Sequence, residues 1–311
     1  MTERSPLLLG VDAGGTKSRA LAATAGPGGR FCMHGVGEAG PGNPMSHGLD
    51  RAADSIVSAI RAALSAAGAQ QPEPAMAVVA AAGAANDTLR RALQQALDAA
   101  NVAATCRVVP DYEPFFSLAA PPVVGVIAGT GSVAFARGAG TDVVRVGGWG
   151  YLLGDEGSGY AIGREALRAA LAELELGRSL SPMAQACLAA LQASDRAGLL
   201  AAVYKSDDQR GRIAGVARRI VELARTDQQA AALLQAEAVR LAGVVHQAVT
   251  AAGLGAGRYS LSVGGGILVG SAEFRATLIE SLSDRQSGPA EVVVVRDPAV
   301  GCLAAAHGLL G

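Results

Sequence analysis

Three glycine-rich turns, each placed directly after a short apolar run, most constrain what this chain can fold into. They are DAGGTK at Asp12–Lys17, GTGS at Gly129–Ser132 and GGG at Gly264–Gly266, following the runs LLLGV, VVGVIA and YSLSV. Glycine adopts positive φ angles without steric cost and lets another backbone come close, so such turns are tight. Amide N–H groups in tight turns bind anions, and three such turns therefore predict loops that converge on one polyanionic ligand.

The alternation of strand and helix patterns predicts an α/β fold in two lobes. A chain of 311 residues is long for a single core. Three strands open the first part, and three more short strands follow Pro121-Pro122, so we expect a duplicated architecture with mixed sheets. The expected lobes are residues 1–119 and residues 120–311, the second with a helical insert, and a ligand-binding cleft between them. The last helix is a candidate to pack back on the first lobe.

Composition excludes several classes of function. The formal net charge of −1 gives no electrostatic footprint for nucleic acid or an anionic membrane. The closest basic residues, Arg218-Arg219 and Arg210 with Arg212, are interpreted as solvated helix faces. Apolar stretches are too short to span a bilayer, and four polar residues before the first strand indicate no signal peptide, so we expect a cytoplasmic protein.

The cysteines do not form a recognisable metal or disulfide pattern. Cys32, Cys106, Cys187 and Cys302 are far apart in sequence and none belongs to a CxxC pair. Isolated cysteines are most often small buried hydrophobic residues, so neither a zinc site nor an iron–sulfur site within one chain is expected.

Two glycine-rich segments resemble nucleotide-binding motifs in spacing, but the residues around them do not fit those motifs. GVDAGGTKS has P-loop spacing, but the order Thr-Lys replaces Lys-Ser/Thr and a strand follows instead of a helix. GVGEAG at Gly35–Gly40 matches GxGxxG, yet PGNP comes next and no helix opens there. A hairpin loop is the better interpretation of the first motif: its amides and the Thr16 hydroxyl wrap a terminal phosphate while Asp12 faces a hydrated Mg²⁺. The alternative is an ordinary β-turn, which also favours Asp and Gly.

Trp149 is the only tryptophan and lies among glycines in GGWGY. A flat indole framed by glycines suits a wall for a sugar ring or an N-acetyl group, with the amides of Gly148 and Gly150 facing the same ligand. The alternative is a buried hinge anchor.

The order of DAGGTK, VVPDYE, GTGS, GGWGYLLGDEGSGYAIG and SVGGG resembles the sugar-kinase, Hsp70 and actin ATPase superfamily. Within it the chain resembles the BadF/BadG/BcrA/BcrD ATPase family, and specifically N-acetylglucosamine kinase, over nearly its full length. This resemblance implies two ribonuclease H-like (actin-like ATPase) lobes that close on ATP and a sugar, and a homodimer. It implies nucleotide contacts, to phosphates in the first two turns and to adenosine elsewhere, from Gly14, Gly15, Thr16, Lys17, Thr130, Ala214, Gly265 and Gly266.

The same resemblance implies that Asp111, in VVPDYE, is the general base that takes the proton from a sugar hydroxyl, a role that suits phosphoryl transfer. The alternative is a helix N-cap for the segment that follows. The resemblance also implies sugar binding by Asn43, whose alternative is a turn residue, and by Ser132 in the second turn. Asp155 has two possible duties, to bind sugar hydroxyls or to cap the helix that begins near Ser158. Val133 stands where some relatives carry asparagine.

We therefore expect an enzyme that uses ATP and Mg²⁺ to phosphorylate the 6-hydroxyl of an amino sugar, most simply N-acetylglucosamine. Glucosamine and N-acetylmuramic acid remain alternative acceptors. From another class comes an ATPase that activates an iron–sulfur dehydratase, which requires clustered cysteines to hold its cluster. A sugar-sensing regulator that binds without turnover is the third hypothesis.

Overall fold

The computed structural model describes residues 5–27, 30–68, 73–138, 142–177 and 179–310. The chain divides into two compact units. Unit 1 comprises the chain through Leu118 together with everything from Asp297, and unit 2 comprises Ala119–Arg296. The final helix thus belongs to unit 1, although it follows the whole of unit 2 in sequence.

The elements alternate as an α/β chain should. The strands are β1 (Leu7–Ala13), β2 (Ser18–Ala25), β3 (Phe31–Ala39), β4 (Met76–Ala81), β5 (Thr105–Pro110), β6 (Val123–Ala128), β7 (Ser132–Arg137), β8 (Val143–Gly147), β9 (Ser260–Gly264) and β10 (Glu291–Val295). The helices are α1 (Pro44–His47), α2 (Leu49–Ala67), α3 (Asp87–Ala99), α4 (Glu113–Ser117), α5 (Gly159–Glu175), α6 (Pro182–Leu191), α7 (Arg196–Tyr204), α8 (Gln209–Leu223), α9 (Gln228–Ala251), α10 (Gly266–Gly270), α11 (Ala272–Asp284) and α12 (Pro298–Leu310).

Unit 1 is built on a mixed sheet with the order β3-β2-β1-β4-β5. The pairs β1–β2 and β2–β3 are antiparallel, whereas the pairs β1–β4 and β4–β5 are parallel. Both faces are covered: Leu7 and Leu9 join a core formed with α2 and α3, and Leu8 joins a core formed with α12. A strand buried on both faces reads as a continuous apolar run, which is why LLLGV was recognisable in the sequence.

Unit 2 repeats this arrangement. Its sheet has the order β10-β9-β6-β7-β8, in which β6, β7 and β8 are antiparallel and β6, β9 and β10 are parallel. The helical block α5–α9 packs on this sheet through one large apolar core. The two sheets therefore confirm the predicted duplicated α/β architecture.

Side-chain caps set the beginnings of most helices in the block. An Asp or Ser oxygen accepts a hydrogen bond from an amide in the first turn, which satisfies a donor that the helix itself leaves open. These capping residues are Ser158 for α5, Ser181 for α6, Asp195 for α7, Asp208 for α8 and Asp227 for α9.

Within the described ranges, no single helix combines the length and apolar character needed to cross a membrane. One bent pair, Pro182–Leu191 with Arg196–Tyr204, meets the criterion by length and composition only. GVGEAG, the motif with GxGxxG spacing, lies mostly within β3 and opens no helix, as its context predicted.

Candidate active site

The first glycine turn is a hairpin that joins β1 to β2. The amide of Gly14 donates to the carbonyl of Lys17 at 2.9 Å and closes the turn. The tip formed by Gly15 and Thr16 is exposed, and its two amides donate to no residue in the described part of the chain. The Lys17 ammonium pairs with Glu38 at 2.9 Å. The amide of Gly14 is therefore used within the turn, whereas those of Gly15 and Thr16 are not hydrogen-bonded to the described part of the chain.

A group of carboxylates lies beside this turn in unit 1. Asp12 is the second-last residue of β1 and Asp111 follows β5, so both stand at the carboxyl edge of the parallel strands, where ligands commonly bind. Burial, together with the negative charges of Asp297 and Asp111, raises the pKa of Asp12 to about 6, although Lys17 and Arg19 act against this. A carboxylate surrounded by burial and like charge is the kind of group that a bound cation would stabilise.

Asp297, which the sequence argument did not single out, is held by two contacts. Its Oδ2 accepts from the Arg19 Nε at 2.9 Å, and its Oδ1 accepts from the amide of Ala299 at 3.1 Å. Arg19 also donates to Glu38 at 2.8 Å. The beginning of α12 is thus bonded to β2. This places Asp297 close enough to Asp12 for its negative charge to raise the pKa of Asp12.

Asn43 caps the short helix α1. Its Oδ1 accepts from the amide of Met45 at 2.9 Å, while its side-chain amide group donates to no described residue. The preceding Gly42 donates its amide to the carbonyl of Gly14 at 2.9 Å, which fastens this loop to the first glycine turn. The structure therefore brings Asn43 next to the turn.

The α4 segment follows closely after Asp111. No side-chain hydrogen bond caps this helix, and its N-cap position is Tyr112 and not Asp111. The assignment of Asp111 as a general base stays a prediction.

A cavity of about 770 Å³ opens in unit 2 where two glycine turns meet α8. Clefts that hold drug-sized or cofactor-sized ligands have volumes of this order. Its walls are Gly129, Thr130, Gly159, Gly211, Ala214, Gly215, Ala217, Arg218, Val221, Glu222, Arg225, Gly266, Ile267 and Gly270. Thr130, Ala214 and Gly266, each named from the sequence as a nucleotide contact, thus share one cavity.

The third glycine turn, next to this cavity, depends on close backbone packing. Gly265 has φ 88° and ψ 155°, a conformation almost confined to glycine, and a Cβ there would overlap the carbonyl of Ala128. The second turn is fixed in a different way, since the amides of Gly159 and Tyr160 donate to the carbonyls of Gly129 and Thr130 at 2.7 and 3.2 Å. The start of α5 is therefore bonded directly to the second turn.

Asp155 is only 2% exposed and makes two contacts. Its Oδ1 accepts from the amide of Ser132 at 3.1 Å, and its Oδ2 accepts from the Arg210 Nη2 at 3.0 Å. The capping duty considered for Asp155 falls to Ser158 instead. Arg210, interpreted from the sequence as part of a solvated helix face, is 40% exposed, but its guanidinium also pairs with this buried carboxylate, which that interpretation missed.

Ser132 has a structural duty that its sequence position did not reveal. Its hydroxyl donates to the carbonyl of Glu156 at 2.7 Å, and its amide is already bonded to Asp155. A buried carboxylate on α9, Glu237, accepts from the amide of Gly157 at 3.0 Å. These bonds fix the segment that carries Asp155 against the second turn.

The segment around Trp149 is largely open. Trp149 is 66% exposed, so the alternative of a buried hinge anchor is wrong. Gly148 and Gly150, on either side of it, have positive φ angles. Leu152 and Leu153 are also exposed, which leaves an apolar surface on this loop.

The chain matches a known protein family over nearly its whole length. The family model described as the BadF/BadG/BcrA/BcrD ATPase family matches residues 9–305. The chain belongs to this family. A curated relative, N-acetylmuramic acid/N-acetylglucosamine kinase of Clostridium acetobutylicum, is 36% identical over 93 residues, which is 30% of each protein. The chain therefore matches less than a third of the length of that relative.

Solved structures support the fold. A protein from Chromobacterium violaceum assigned as an N-acetylglucosamine kinase superposes with a TM-score of 0.73 at 23% identity, over 96% of this chain and 98% of that one. A ROK family glucokinase from Streptomyces griseus, solved with glucose and AMPPNP, superposes with a TM-score of 0.56 at 18% identity, over 98% and 100% of the two chains. At this level of identity the likeness is one of fold, and it confirms the predicted fold class.

Proposed function

We propose that this protein transfers the γ-phosphoryl group of ATP to the 6-hydroxyl of an amino sugar, with N-acetylglucosamine as the first candidate acceptor. The observation that carries the proposal is the cavity in unit 2, in which the second and third glycine turns and α8 meet. Membership of an ATPase family and the partial similarity to an N-acetylmuramic acid/N-acetylglucosamine kinase support it.

The nucleotide roles follow from which groups the fold leaves open. We assign the adenosine to the α8 cavity, against Ala214, Gly265 and Gly266. The amides of Thr130 and Gly131 donate to no residue within the described ranges, and those of Gly15 and Thr16 are equally open. These four amides are our candidates for phosphate contacts, with the Lys17 ammonium adding positive charge.

The phosphoryl-transfer chemistry is assigned to unit 1. Asp111 would accept the proton of the attacking hydroxyl and orient its oxygen, which is the task of a general base in this reaction. Mg²⁺ would neutralise phosphate charge during the reaction. Asp12 fits such an ion because its carboxyl lies among like charges. No described group of three His, Cys, Asp or Glu side chains could hold a metal directly, so contact through water suits Asp12 best.

For the sugar we propose Asn43 through its side-chain amide, Asp155 through its carboxylate, and Trp149 through its exposed indole. Gly148 and Gly150 would present backbone groups of the same loop. Ser132 is assigned an indirect part, since its hydroxyl and amide are already used within unit 2.

N-acetylmuramic acid is the second candidate acceptor, because the curated relative carries that sugar in its name. The dehydratase-activator hypothesis has no such support. Cys187 and Cys302 are buried, and Cys106 is partly buried.

A coupled ADP-release assay over N-acetylglucosamine, N-acetylmuramic acid, glucosamine and glucose tests the proposal. We expect the largest kcat/KM with N-acetylglucosamine, and no turnover with its 6-deoxy analogue because the attacking oxygen is missing. ADP release that is independent of any sugar would contradict the kinase assignment. Turnover of the 6-deoxy analogue would contradict only the position of transfer.

A further inference from the structure

We propose that Arg210 is a positioning residue that links the proposed sugar-binding carboxylate, Asp155, to the helix that lines the nucleotide cavity. This inference rests on the proposed sugar kinase function. Its basis is one guanidinium that touches a buried acid, a glycine turn and an aromatic ring within unit 2.

The carboxylate of Asp155 is held on both oxygens. Ser132 donates its amide to Oδ1 at 3.1 Å, and Arg210 donates from Nη2 to Oδ2 at 3.0 Å. Ionic hydrogen bonds of this kind fix direction as well as distance. These two contacts fix the orientation of the Asp155 carboxylate, and the positive charge of Arg210 balances the charge of this nearly fully buried acid.

Arg210 lies in the first turn of α8, which also forms a wall of the nucleotide cavity. The neighbouring Gly211 is part of that wall and donates its amide to the helix cap Asp208 at 2.8 Å. A displacement of this helix end when the cavity fills would therefore move the guanidinium that holds Asp155.

The second glycine turn accommodates the guanidinium closely. A Cβ at Gly131 would overlap the Arg210 Nη2 and would stand 2.7 Å from the Asp155 Oδ2. The turn whose amides we assign to phosphate is therefore in direct contact with the ion pair. A side chain at residue 131 would therefore push the turn away from Arg210 and Asp155.

Arg210 also reaches the loop that carries Trp149. Its guanidinium carbon lies 5.6 Å from the ring centroid of Tyr151, a cation–π distance, and Tyr151 packs on Tyr160 with centroids 4.9 Å apart. Loss of the guanidinium would release this ring as well as the carboxylate.

Two local features show that this arrangement is not simply the most stable one. Asp155 has φ 66°, in the left-handed region, and the buried Nε of Arg210 has no hydrogen-bond partner among the described residues. Strained backbone and unpaired buried donors cost stability and are concentrated at functional sites. Both features are accounted for if the position of Asp155 serves ligand binding.

The test compares Arg210→Gln and Arg210→Lys with Arg212→Gln. The control removes the same charge from the same helix, two residues away, where the Nε of Arg212 makes only a long 3.5 Å contact to the carbonyl of Ala202. Sugar affinity is measured by calorimetry with and without a non-hydrolysable ATP analogue, alongside ADP affinity in the absence of sugar. We expect Arg210→Gln to raise the sugar Kd by about tenfold, equivalent to about 1.4 kcal/mol, and to leave ADP affinity unchanged.

Wild-type protein should bind sugar more tightly when the analogue is present, and Arg210→Gln should lose that gain. Arg210→Lys should fall between the two, because lysine restores charge without the planar fork. Should Arg210→Gln lose folded structure, the Arg210→Lys protein carries the same comparison.

A double-mutant cycle with Asp155→Asn shows whether Arg210 acts through Asp155. Adding Arg210→Gln to Asp155→Asn should weaken sugar binding by less than about twofold, because the partner is already gone. Additive losses, or equal effects of Arg210→Gln and Arg212→Gln, overturn the inference while the kinase activity stands. A wild-type protein that phosphorylates no amino sugar overturns the proposed function, and this inference with it.

Discussion

The first and second glycine turns occupy corresponding places in two sheets of the same order, yet their surroundings differ. Each turn follows the central strand of its sheet, β1 in one unit and β6 in the other, and leads into an antiparallel neighbour. Each turn is closed by one backbone hydrogen bond, from the amide of Gly14 to the carbonyl of Lys17 or from the amide of Gly129 to the carbonyl of Gly131. The two units therefore repeat the same backbone turn.

The two turns differ in the charged groups beside them. Beside the first turn stand Asp12, Asp111 and Asp297, and burial, together with the negative charges of Asp297 and Asp111, raises the pKa of Asp12. Beside the second turn stands the buried Asp155, whose charge Arg210 balances. We infer that the same turn serves cation-bridged phosphate chemistry in unit 1 and ligand positioning in unit 2.

The largest expected effect tests the acidic side of this comparison. Asp111→Asn keeps the shape of the side chain but removes the base, so we expect kcat to fall by about 10³-fold with ADP affinity unchanged. Steady-state kinetics and calorimetric ADP binding measure the two quantities. Asp54→Asn, an exposed change on α2, is the control and should retain full activity. A near-normal kcat for Asp111→Asn would remove Asp111 from the reaction.

The next prediction contrasts the packing of the glycine turns. Gly265→Ala places a Cβ on the Ala128 carbonyl in a backbone conformation that alanine rarely adopts. We expect it to lower the free energy of unfolding by about 3 kcal/mol. Gly15→Ala has nothing within 4 Å of its Cβ and should change stability by less than about 0.5 kcal/mol.

Gly266→Ala is the matched control for that pair, because its Cβ would also meet nothing within 4 Å. Calorimetric melting of the three variants gives the ranking. Equal losses in Gly265→Ala and Gly15→Ala would show that the two turns are equally constrained, and the contrast between the units would then rest on charge alone.

Local patterns explain why much of the fold was readable from the sequence. β1 is buried on both faces, so its residues form an unbroken apolar run, and the buried residues of α2 recur at helical spacing. Caps such as Ser158 mark helix starts because their side chains bond within three residues. These are short-range effects that a linear sequence contains.

The site residues that were missed depend on long-range contacts. Arg210 meets an acid 55 positions away, and Arg19 meets Asp297 at a separation of 278. An arginine on a helix is usually solvated, so nothing local distinguished Arg210 from Arg212. Asp297 precedes the final helix, and only the return of that helix to unit 1 brings it beside Asp12.

The smallest predicted effect concerns the pH dependence of stability in the free protein. The pKa of Asp12 is raised from 3.8 to about 6 in the folded state, so folding favours the protonated form. The stability linked to this group is fully present below pH 3.8 and is lost as the pH rises through 6. Asp12→Asn, which stays neutral, should therefore be more stable than wild type at pH 7.5, by on the order of 1–3 kcal/mol.

That gain should shrink as the pH falls to 4, where the wild-type carboxyl is largely protonated as well. Calorimetric unfolding at both pH values, with Asp54→Asn as the control, measures the difference. Asp12→Asn should also lose kinase activity, so that one substitution stabilises the free protein and disables it. A destabilised Asp12→Asn at pH 7.5 would show that the acid is compensated within unit 1, and the contrast in charge between the two turns would disappear.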